Sequence, residues 1–137
     1  MNKKIIGYDA KRIVRNGTGL GSYGRTLIND LAPLMPDTNL RLYAPDAGRD
    51  DLRNQVKLRD NVQFCYPDHL RFRLQRDWWR VKGVVKDLKA DGVELYHGLS
   101  GELPSGLAAA GIPSVVTVHD LIFLRHPEFY LAIDVFF

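Results

Sequence analysis

Short apolar runs alternate along this chain with stretches of helical periodicity, and that alternation limits its fold more than any other feature. Five runs have the length and composition of strands, at residues 4–9, 39–44, 61–66, 93–97 and 114–119. Strands separated by helices are typical of βα units, whose right-handed crossovers place helices on both faces of a parallel sheet. The sequence therefore predicts an α/β fold with an open parallel sheet of at least five strands.

The intervening stretches predict helices over residues 20–34, 50–58, 70–91 and 104–110. Leu27, Leu31 and Leu34 form an apolar stripe on the first of these helices. In the third, a stripe with spacings of four and three residues is expected to face the core, and its members are Leu74, Trp78, Val81, Val85 and Leu88. Trp79 falls beside that stripe and is expected to be exposed. Residues 10–18, which carry three basic side chains, are interpreted as a loop.

The chain has 137 residues, enough for one globular domain. Cys65 is its single cysteine, which excludes an internal disulfide framework and favours a reducing, cytoplasmic compartment. No apolar run in the sequence approaches the ~20 residues of a membrane span. The apolar stretch 129–137 stops without a capping or turn signal, so we expect residues 1–137 to be the truncated N-terminal domain of a longer protein.

Positive charge is concentrated between residues 70 and 90. Seven Lys or Arg side chains oppose Asp77 and Asp87 there, which leaves a local charge of +5. A basic face attracts phosphate-rich partners, and with Trp78 and Trp79 beside it the segment could make peripheral contact with the anionic inner face of a membrane. A solvated helix face is the simpler interpretation and the one we slightly favour. A module that associates with nucleic acid is a further alternative.

Polar residues end three of the predicted strands. The first strand ends at Asp9, the fourth runs into His97, and the fifth ends at His119 and Asp120. Ligands of open parallel sheets bind at this edge. A glycine-rich segment at residues 16–24 follows the first strand. Glycines that lead into a helix N-terminus favour a phosphate-binding loop over a merely flexible one.

Two other kinds of site remain open. Residues 19–24 match G-x-G-x-x-G and Asp46 follows the second strand, as in an NAD(P)-binding oxidoreductase, although residues 10–18 separate these glycines from their strand. His119 could bind a ligand or be satisfied by backbone at the sheet rim, and it cannot pair with Asp120 because neighbours on a strand point to opposite faces. We expect no metal, because the spacing of a ligand set is missing from His97, His119, Asp120 and His126.

Four segments, in order along the strand ends, carry a resemblance to a known family. They are Gly7-Tyr8-Asp9-Ala10, Gly17-Thr18-Gly19-Leu20-Gly21-Ser22-Tyr23, Tyr96-His97-Gly98-Leu99-Ser100-Gly101-Glu102-Leu103-Pro104 and Thr117-Val118-His119-Asp120-Leu121. Together they resemble the N-terminal domain of retaining family-4 glycosyltransferases (glycosyl transferases group 1), which include many bacterial mannosyltransferases. The resemblance implies the GT-B architecture, in which two Rossmann-like domains face each other across a cleft.

The resemblance also implies roles for particular residues. His119 would contact the transferred sugar or the acceptor hydroxyl, as the catalytic residue. The residues that would approach the donor diphosphate are Gly17, Gly19, Leu20 and Gly21. Those that would shape the acceptor pocket are His97, Ser100 and Glu102.

The implied reaction transfers a hexose, such as mannose, from a nucleotide sugar to a saccharide or lipid-linked acceptor, as in polysaccharide biosynthesis. It uses the nucleotide sugar as co-substrate, with no metal or other cofactor and no nucleic acid. The family's second domain, which carries paired glutamates and holds the nucleotide, is absent from the 137 residues. We therefore expect the isolated chain to be inactive, since interactions made in the transition state need both sides of the cleft.

Overall fold

The computed structural model describes residues 3–68 and 70–119. Its strands are β1 (Lys4–Asp9), β2 (Thr38–Tyr43), β3 (Val62–Cys65), β4 (Leu95–Gly98) and β5 (Ser114–Val116). They form one sheet in the order β3-β2-β1-β4-β5, and every pairing is parallel. The predicted α/β fold, a Rossmann-like open parallel sheet, is confirmed. Asp120, His126 and the apolar run 129–137 lie outside the described residues.

Helices connect the strands. They are α1 (Lys11–Arg15), α2 (Gly19–Leu31), α3 (Asp50–Arg53), α4 (Arg73–Trp78) and α5 (Val84–Ala90), with a 3₁₀ turn over Ala32–Leu34 and a π turn over Trp79–Gly83. In residues 3–68 and 70–119, no helix is both long and apolar enough to cross a membrane.

The sheet carries a core on each face. One face packs Ile13, Val14 and Ile28 of α1 and α2 against Leu40 and Leu42. The other packs Trp79, Val84 and Leu88 against Tyr43 and Tyr96. Leu42 and Tyr43 fall on opposite faces because successive strand side chains alternate. The centre of the sheet is thus covered on both sides, whereas all three residues of β5 are exposed.

Glycine at position 7 lets the second core close over β1. A Cβ on Gly7 would lie 3.1 Å from the Leu88 side chain and 3.2 Å from both Tyr43 and Tyr96. Contacts that tight require the neighbours to shift, so the absence of a side chain at the centre of the sheet admits Leu88, which is fully buried.

Several predicted element boundaries are wrong. Residues 10–18 are not a loop throughout, because α1 occupies Lys11–Arg15. The helix expected over 50–58 ends at Arg53, and Leu58 is fully exposed. The helix expected over 104–110 is a series of turns, since Gly106 has a φ of +96°, which interrupts a right-handed helix. The stripe on α2 also ends early, because Leu34 is 77% exposed while Ile28 is buried.

The core stripe predicted for the third helix is wrong in its first half. Leu74 and Trp78 are 82% and 61% exposed, whereas Trp79 is only 5% exposed. The cause is the π turn over Trp79–Gly83, which holds one residue more than an α-helical turn and so shifts the periodicity. Trp79 and Val84, five residues apart, consequently share the buried face with Leu88.

Candidate functional site

The candidate site lies at the edge of the sheet where the parallel strands end. The last residues of β1 and β4, the segment after β5 and the first turn of α2 meet there, as the contacts below establish. Two groups of side chains occupy this rim. One contains the histidines and Tyr23, and the other contains Asp9, Arg80 and Glu102.

The glycine-rich segment forms the first turn of α2, and two of its backbone amides have no hydrogen-bond acceptor among the residues that the structure describes. The Asn16 Oδ1 accepts hydrogen bonds from the Thr18 amide at 2.9 Å and from the Gly21 amide at 3.1 Å. Among residues 3–68 and 70–119, no protein group accepts a hydrogen bond from the amide of Gly19 or Leu20. These two amides, at the positive end of a 13-residue helix, are the part of the segment that can bind an anion.

Gly19 and Gly21 play different parts in this turn. A Cβ on Gly19 would have no neighbour within 4 Å. A Cβ on Gly21 would overlap the Asn16 carbonyl oxygen and lie 2.7 Å from that of Arg12. Gly21 is therefore required for the close packing of α1 against α2, and its amide is already taken by Asn16. The surface over Gly19 is open.

Arg25, which the sequence did not single out, holds the end of α1 in place. Its guanidinium is buried and donates to the carbonyl oxygens of Ile13 at 2.9 Å and Asn16 at 2.8 Å, and to the Gln55 Oε1 at 2.9 Å. Burial lowers the pKa of Arg25. By fixing the backbone of Asn16, Arg25 also positions the side chain that accepts hydrogen bonds from the amides of Thr18 and Gly21.

His119 makes a hydrogen bond that defines its tautomer. Its Nε2 lies 2.6 Å from the Leu99 carbonyl oxygen, and because a carbonyl only accepts, Nε2 carries the proton. The Nδ1 of the neutral ring is then an acceptor. The Tyr23 ring packs edge-on against the imidazole with centroids 4.7 Å apart. Backbone thus satisfies one ring nitrogen, as one interpretation of His119 expected, and the ligand-binding role stays a prediction.

Tyr23 and Thr117 join the two histidines into one group. The Thr117 Oγ1 lies 2.7 Å from the His97 Nε2 and 3.4 Å from the Tyr23 hydroxyl. His97 also packs against the Tyr8 ring at 5.6 Å, and burial lowers its pKa below the ordinary value. No role was predicted for Tyr23. A signal was available, because Tyr23 lies four residues after Gly19 and so on the same helix face.

Arg80, Asp9 and Glu102 form a mostly buried ion cluster beside the histidines. The Arg80 Nη2 lies 2.5 Å from the Asp9 Oδ2, and the Arg80 Nη1 pairs with the Glu102 Oε2. The exposed fractions of the Asp9, Arg80 and Glu102 side chains are 5%, 14% and 29%. Burial lowers the pKa of Arg80, but the two carboxylates outweigh it and raise that pKa above the ordinary value. Glu102 is therefore held by an arginine that was expected in solvent.

The predicted acceptor residues are divided between the two groups. His97 belongs with Thr117 and Tyr23, whereas Ser100 and Glu102 lie with Arg80, whose Nη2 is 3.5 Å from the Ser100 Oγ. The turn between them is tight, because a Cβ on Gly98 would overlap the Glu102 carbonyl oxygen. The structure places all three residues at the rim and leaves their binding role a prediction.

Asp46, the residue matched to a ribose-binding acid, is occupied by protein groups. Its carboxylate pairs with Arg15 at 2.5 Å and with Arg76 at 3.4 Å, and it accepts the Gly48 amide at 3.1 Å. Burial raises the pKa of Asp46, but the Arg15 hydrogen bond and charge, the Gly48 amide and Arg76 together lower it. Helix α1 also separates β1 from the glycines, unlike the tight strand-to-helix turn of a dinucleotide site.

No cluster of three metal-ligating side chains occurs in the part of the chain that the structure describes, and the expectation of a metal-free site stays a prediction. No protein-family model matches this chain, and neither the curated proteins nor the solved structures contain a significant match to it.

Proposed function

We propose that this chain is the acceptor-side domain of a retaining glycosyltransferase that moves a hexose from a nucleotide sugar to a saccharide or lipid-linked acceptor. The observation that carries the proposal is the contact of Tyr23 with His119. Tyr23 lies on α2, the helix whose first amides are those of Gly19 and Leu20, and its ring packs against an imidazole whose Nδ1 has no hydrogen-bond partner in residues 3–68 and 70–119. Helix α2 therefore connects an anion site to a hydrogen-bonding group for a hydroxyl.

The two amides suit the chemistry of a diphosphate leaving group. Negative charge grows on the β-phosphate as the glycosidic bond breaks, and fixed backbone N–H groups at a helix N-terminus stabilise such charge without reorganising. The amides of Gly19 and Leu20 are in that position, and the open surface over Gly19 permits close approach. The remainder of the nucleotide site is not visible in residues 3–68 and 70–119.

His119 is suited to holding a hydroxyl near that anion. With Nε2 bound to the Leu99 carbonyl, its Nδ1 can accept a hydrogen bond from the acceptor hydroxyl or from a hydroxyl of the transferred sugar. The Tyr23 ring restricts rotation of the imidazole. A free, half-buried Cys65 is consistent with a cytoplasmic location, which we include in the proposal.

The geometry favours this proposal over a nicotinamide-dependent oxidoreductase. A ribose-binding carboxylate must be free to accept from the sugar hydroxyls, and Asp46 is bound to two arginines and an amide. The glycines also lack the direct strand-to-helix turn that brings a pyrophosphate onto the helix.

Binding of a diphosphate to the isolated chain tests the proposal. We expect pyrophosphate, UDP-glucose and GDP-mannose to shift the amide NMR signals of Gly19 and Leu20, with a smaller change at Gly21. NAD serves as the comparison ligand. Shifts centred on Asp46 with NAD alone would favour the oxidoreductase, and unchanged Gly19 and Leu20 signals with every diphosphate would refute the anion site and the transferase proposal built on it.

A further inference from the structure

We propose that the beginning of the basic helix is a docking surface for an anionic lipid bilayer. The surface, here called the helix tip, consists of Phe72, Leu74 and Trp78 with Arg71 and Arg73. This inference goes beyond the proposed function and does not depend on it, because it concerns residues outside both groups at the rim.

The helix tip exposes three large apolar side chains within two helical turns. Phe72, Leu74 and Trp78 are 67%, 82% and 61% exposed. Leu74 and Trp78 also line an open groove of about 370 Å³ together with Leu70 and Gln75. Single exposed apolar residues are ordinary on a protein surface, but three large ones within seven residues, two of them lining one groove, are typical of an interaction site.

The local backbone holds these side chains outward. The π turn brings Trp79 to the core and leaves Trp78 on the solvent side, where its ring lies against Gly83, since a Cβ there would be 2.8 Å from the Trp78 Cζ3. The Gln75 Oε1 accepts the amides of Arg71 and Phe72 at 3.0 and 3.2 Å, which fixes the start of α4. The exposure is therefore a property of the folded helix.

The charges at the helix tip are positive and available. Arg73 is 88% exposed, and its only carboxylate contact in the described residues is Asp77 at 3.8 Å. Arg71 is also exposed, and Lys82 and Lys86 continue the exposed basic face. Arg76 and Arg80, by contrast, turn inward to Asp46 and Asp9. The seven basic residues thus divide into an inward pair and an outward set, and the outward set favours anionic headgroups.

The helix tip belongs to a helix that begins at the same edge of the sheet as the candidate site. Arg80 contacts Asp9 at the end of β1 and Arg76 contacts Asp46 beyond β2, so this helix begins beside the carboxyl ends of the strands. Leu74 precedes Arg76 by two residues, about 3 Å along the helix axis at 1.5 Å per residue. A bilayer contacted by the helix tip would therefore face the same edge of the sheet as the site.

A bilayer fits this surface better than a protein partner does. A stable protein interface needs roughly 800 Å² from each partner, and three partly exposed side chains offer well below that. Tryptophan, phenylalanine and leucine beside arginine are the combination that enters the headgroup boundary, where apolar insertion and charge act together. A small protruding tip is sufficient for such binding.

Vesicle co-sedimentation of the whole chain tests the proposal. The probe is vesicles of phosphatidylglycerol and phosphatidylcholine in equal parts at low salt, with pure phosphatidylcholine as reference. We expect Arg71→Glu/Arg73→Glu to weaken binding about twentyfold or more and Leu74→Ser/Trp78→Ser to weaken it about tenfold. Leu58→Ser and Arg59→Glu are matched controls, because both residues are exposed and precede β3 at the opposite edge of the sheet.

A second measurement does not depend on any variant. In the wild-type chain, brominated phosphatidylglycerol should quench the emission of the exposed Trp78 and shift it to the blue, and added salt should reverse both effects.

Four outcomes would overturn the proposal. They are no sedimentation with the anionic vesicles at low salt, equal binding to pure phosphatidylcholine, binding that survives both double variants, and concentration-dependent self-association through the helix tip with no effect of vesicles. The last would identify a second copy of the chain as the occupant. Absence of vesicle binding would leave the diphosphate test of the transferase proposal unaffected, so the two can fail separately.

Discussion

At the scale of single residues, two glycines that look equivalent in the sequence do different work. Gly19 faces open space and adjoins the free amides, whereas Gly21 fits beneath the carbonyl oxygens of Asn16 and Arg12. Motif matching cannot separate the two, because it treats each glycine as a requirement for the approach of a ligand. The structure assigns the requirement at position 21 to the contact between two helices.

Replacing each glycine by alanine distinguishes these roles. Gly21→Ala should lower the free energy of unfolding by about 2 kcal/mol or more, since the added methyl group meets backbone that cannot move aside easily. Gly19→Ala should leave stability unchanged or raise it by about 0.5–1 kcal/mol, because alanine restricts the unfolded chain. Urea unfolding of both variants measures the difference. Equal losses would mean that the packing account of Gly21 is wrong.

The stability of the folded chain should depend on pH through His97, and the burial of this residue decides the direction of that dependence. Burial lowers its pKa below the ordinary value of 6.5, so the folded chain binds this proton less readily than the unfolded chain does. The contribution to stability is fully present above pH 6.5 and declines as the pH falls from 6.5 through the lowered pKa. NMR titration of the imidazole should give a midpoint below 6.5.

Unfolding measurements on a variant complete this test. In His97→Gln the neutral amide replaces the imidazole, and the loss of stability on acidification below pH 6.5 should become smaller than in the wild-type chain. A His97 midpoint at or above 6.5, or an unchanged pH profile in the variant, would contradict the assignment.

At the scale of elements, the π turn over Trp79–Gly83 determines which tryptophan is buried. A π turn is an α-helix with one inserted residue. Removing one residue from it should restore α-helical spacing and leave Trp79, Val84 and Leu88 on a common face. Removing a residue from α5 instead should rotate Leu88 by about 100° relative to the residues before it.

Two single-residue deletions test this account of the helix. We expect deletion of Lys82, which is exposed, to cost less than about 1.5 kcal/mol of unfolding free energy, because the core face is preserved. Deletion of Lys86, equally exposed, should cost more than about 3 kcal/mol through loss of Leu88 from the core. Thermal and urea unfolding give both values, and the reverse order would exclude the insertion account.

The accuracy of the sequence predictions differs between strands and helices for a physical reason. β1 was predicted to the residue and the other strands were placed correctly with shifted ends, since each strand contains a short run rich in apolar residues, whether it is buried or not. In the third helix the wrong tryptophan was predicted to be buried. The prediction assumed a constant number of residues per helical turn, and nothing in the sequence marks the residue inserted by the π turn. The helix predicted over residues 104–110 was wrong because the positive φ of Gly106 depends on the surrounding turn and cannot be predicted from the sequence.

The candidate site was predictable in position and not in its contacts. Because β1, β4 and β5 are parallel, their carboxyl ends lie at one edge of the sheet, and this alone predicts that Asp9, His97 and His119 lie at one rim. Pairing Arg80 with Asp9 requires the path of a helix that begins more than sixty residues later in the chain. The contact between Tyr23 and Thr117 could not be predicted for the same reason, because the two residues are far apart in the sequence.

At the scale of the whole molecule, Arg80 connects three separate parts of the chain. It joins the helix after β3 to the end of β1 through Asp9 and to the loop after β4 through Glu102. Removing one member of a buried ion cluster leaves the others desolvated and unpaired, which costs more than the intact cluster contributes. The fold should therefore be sensitive at this position.

Arg80→Met should lower the free energy of unfolding by about 3–5 kcal/mol, because Asp9 then stays buried without its cation. Arg73→Met, on the same helix but 88% exposed, should change it by less than about 0.5 kcal/mol. Adding Asp9→Asn to Arg80→Met should recover part of the loss, since the unpaired charge is gone. Urea unfolding measures these variants together with Asp9→Asn alone. If the double variant lost as much unfolding free energy as Arg80→Met and Asp9→Asn lose in sum, charge pairing would not be the cause.

The strand order also affects how the molecule is made on the ribosome. β1, the central strand, is synthesised before its two neighbours. Its pairing with β2, which begins with Lys4 and Thr38, can form early, whereas its pairing with β4, which begins with Ile6 and Leu95, requires a much longer chain. At about 5–20 residues per second, one side of β1 stays unpaired for several seconds after β2 has joined the other. Nascent chains halted before Leu95 should consequently bind chaperones through this half-finished sheet, and chains halted after β5 should not.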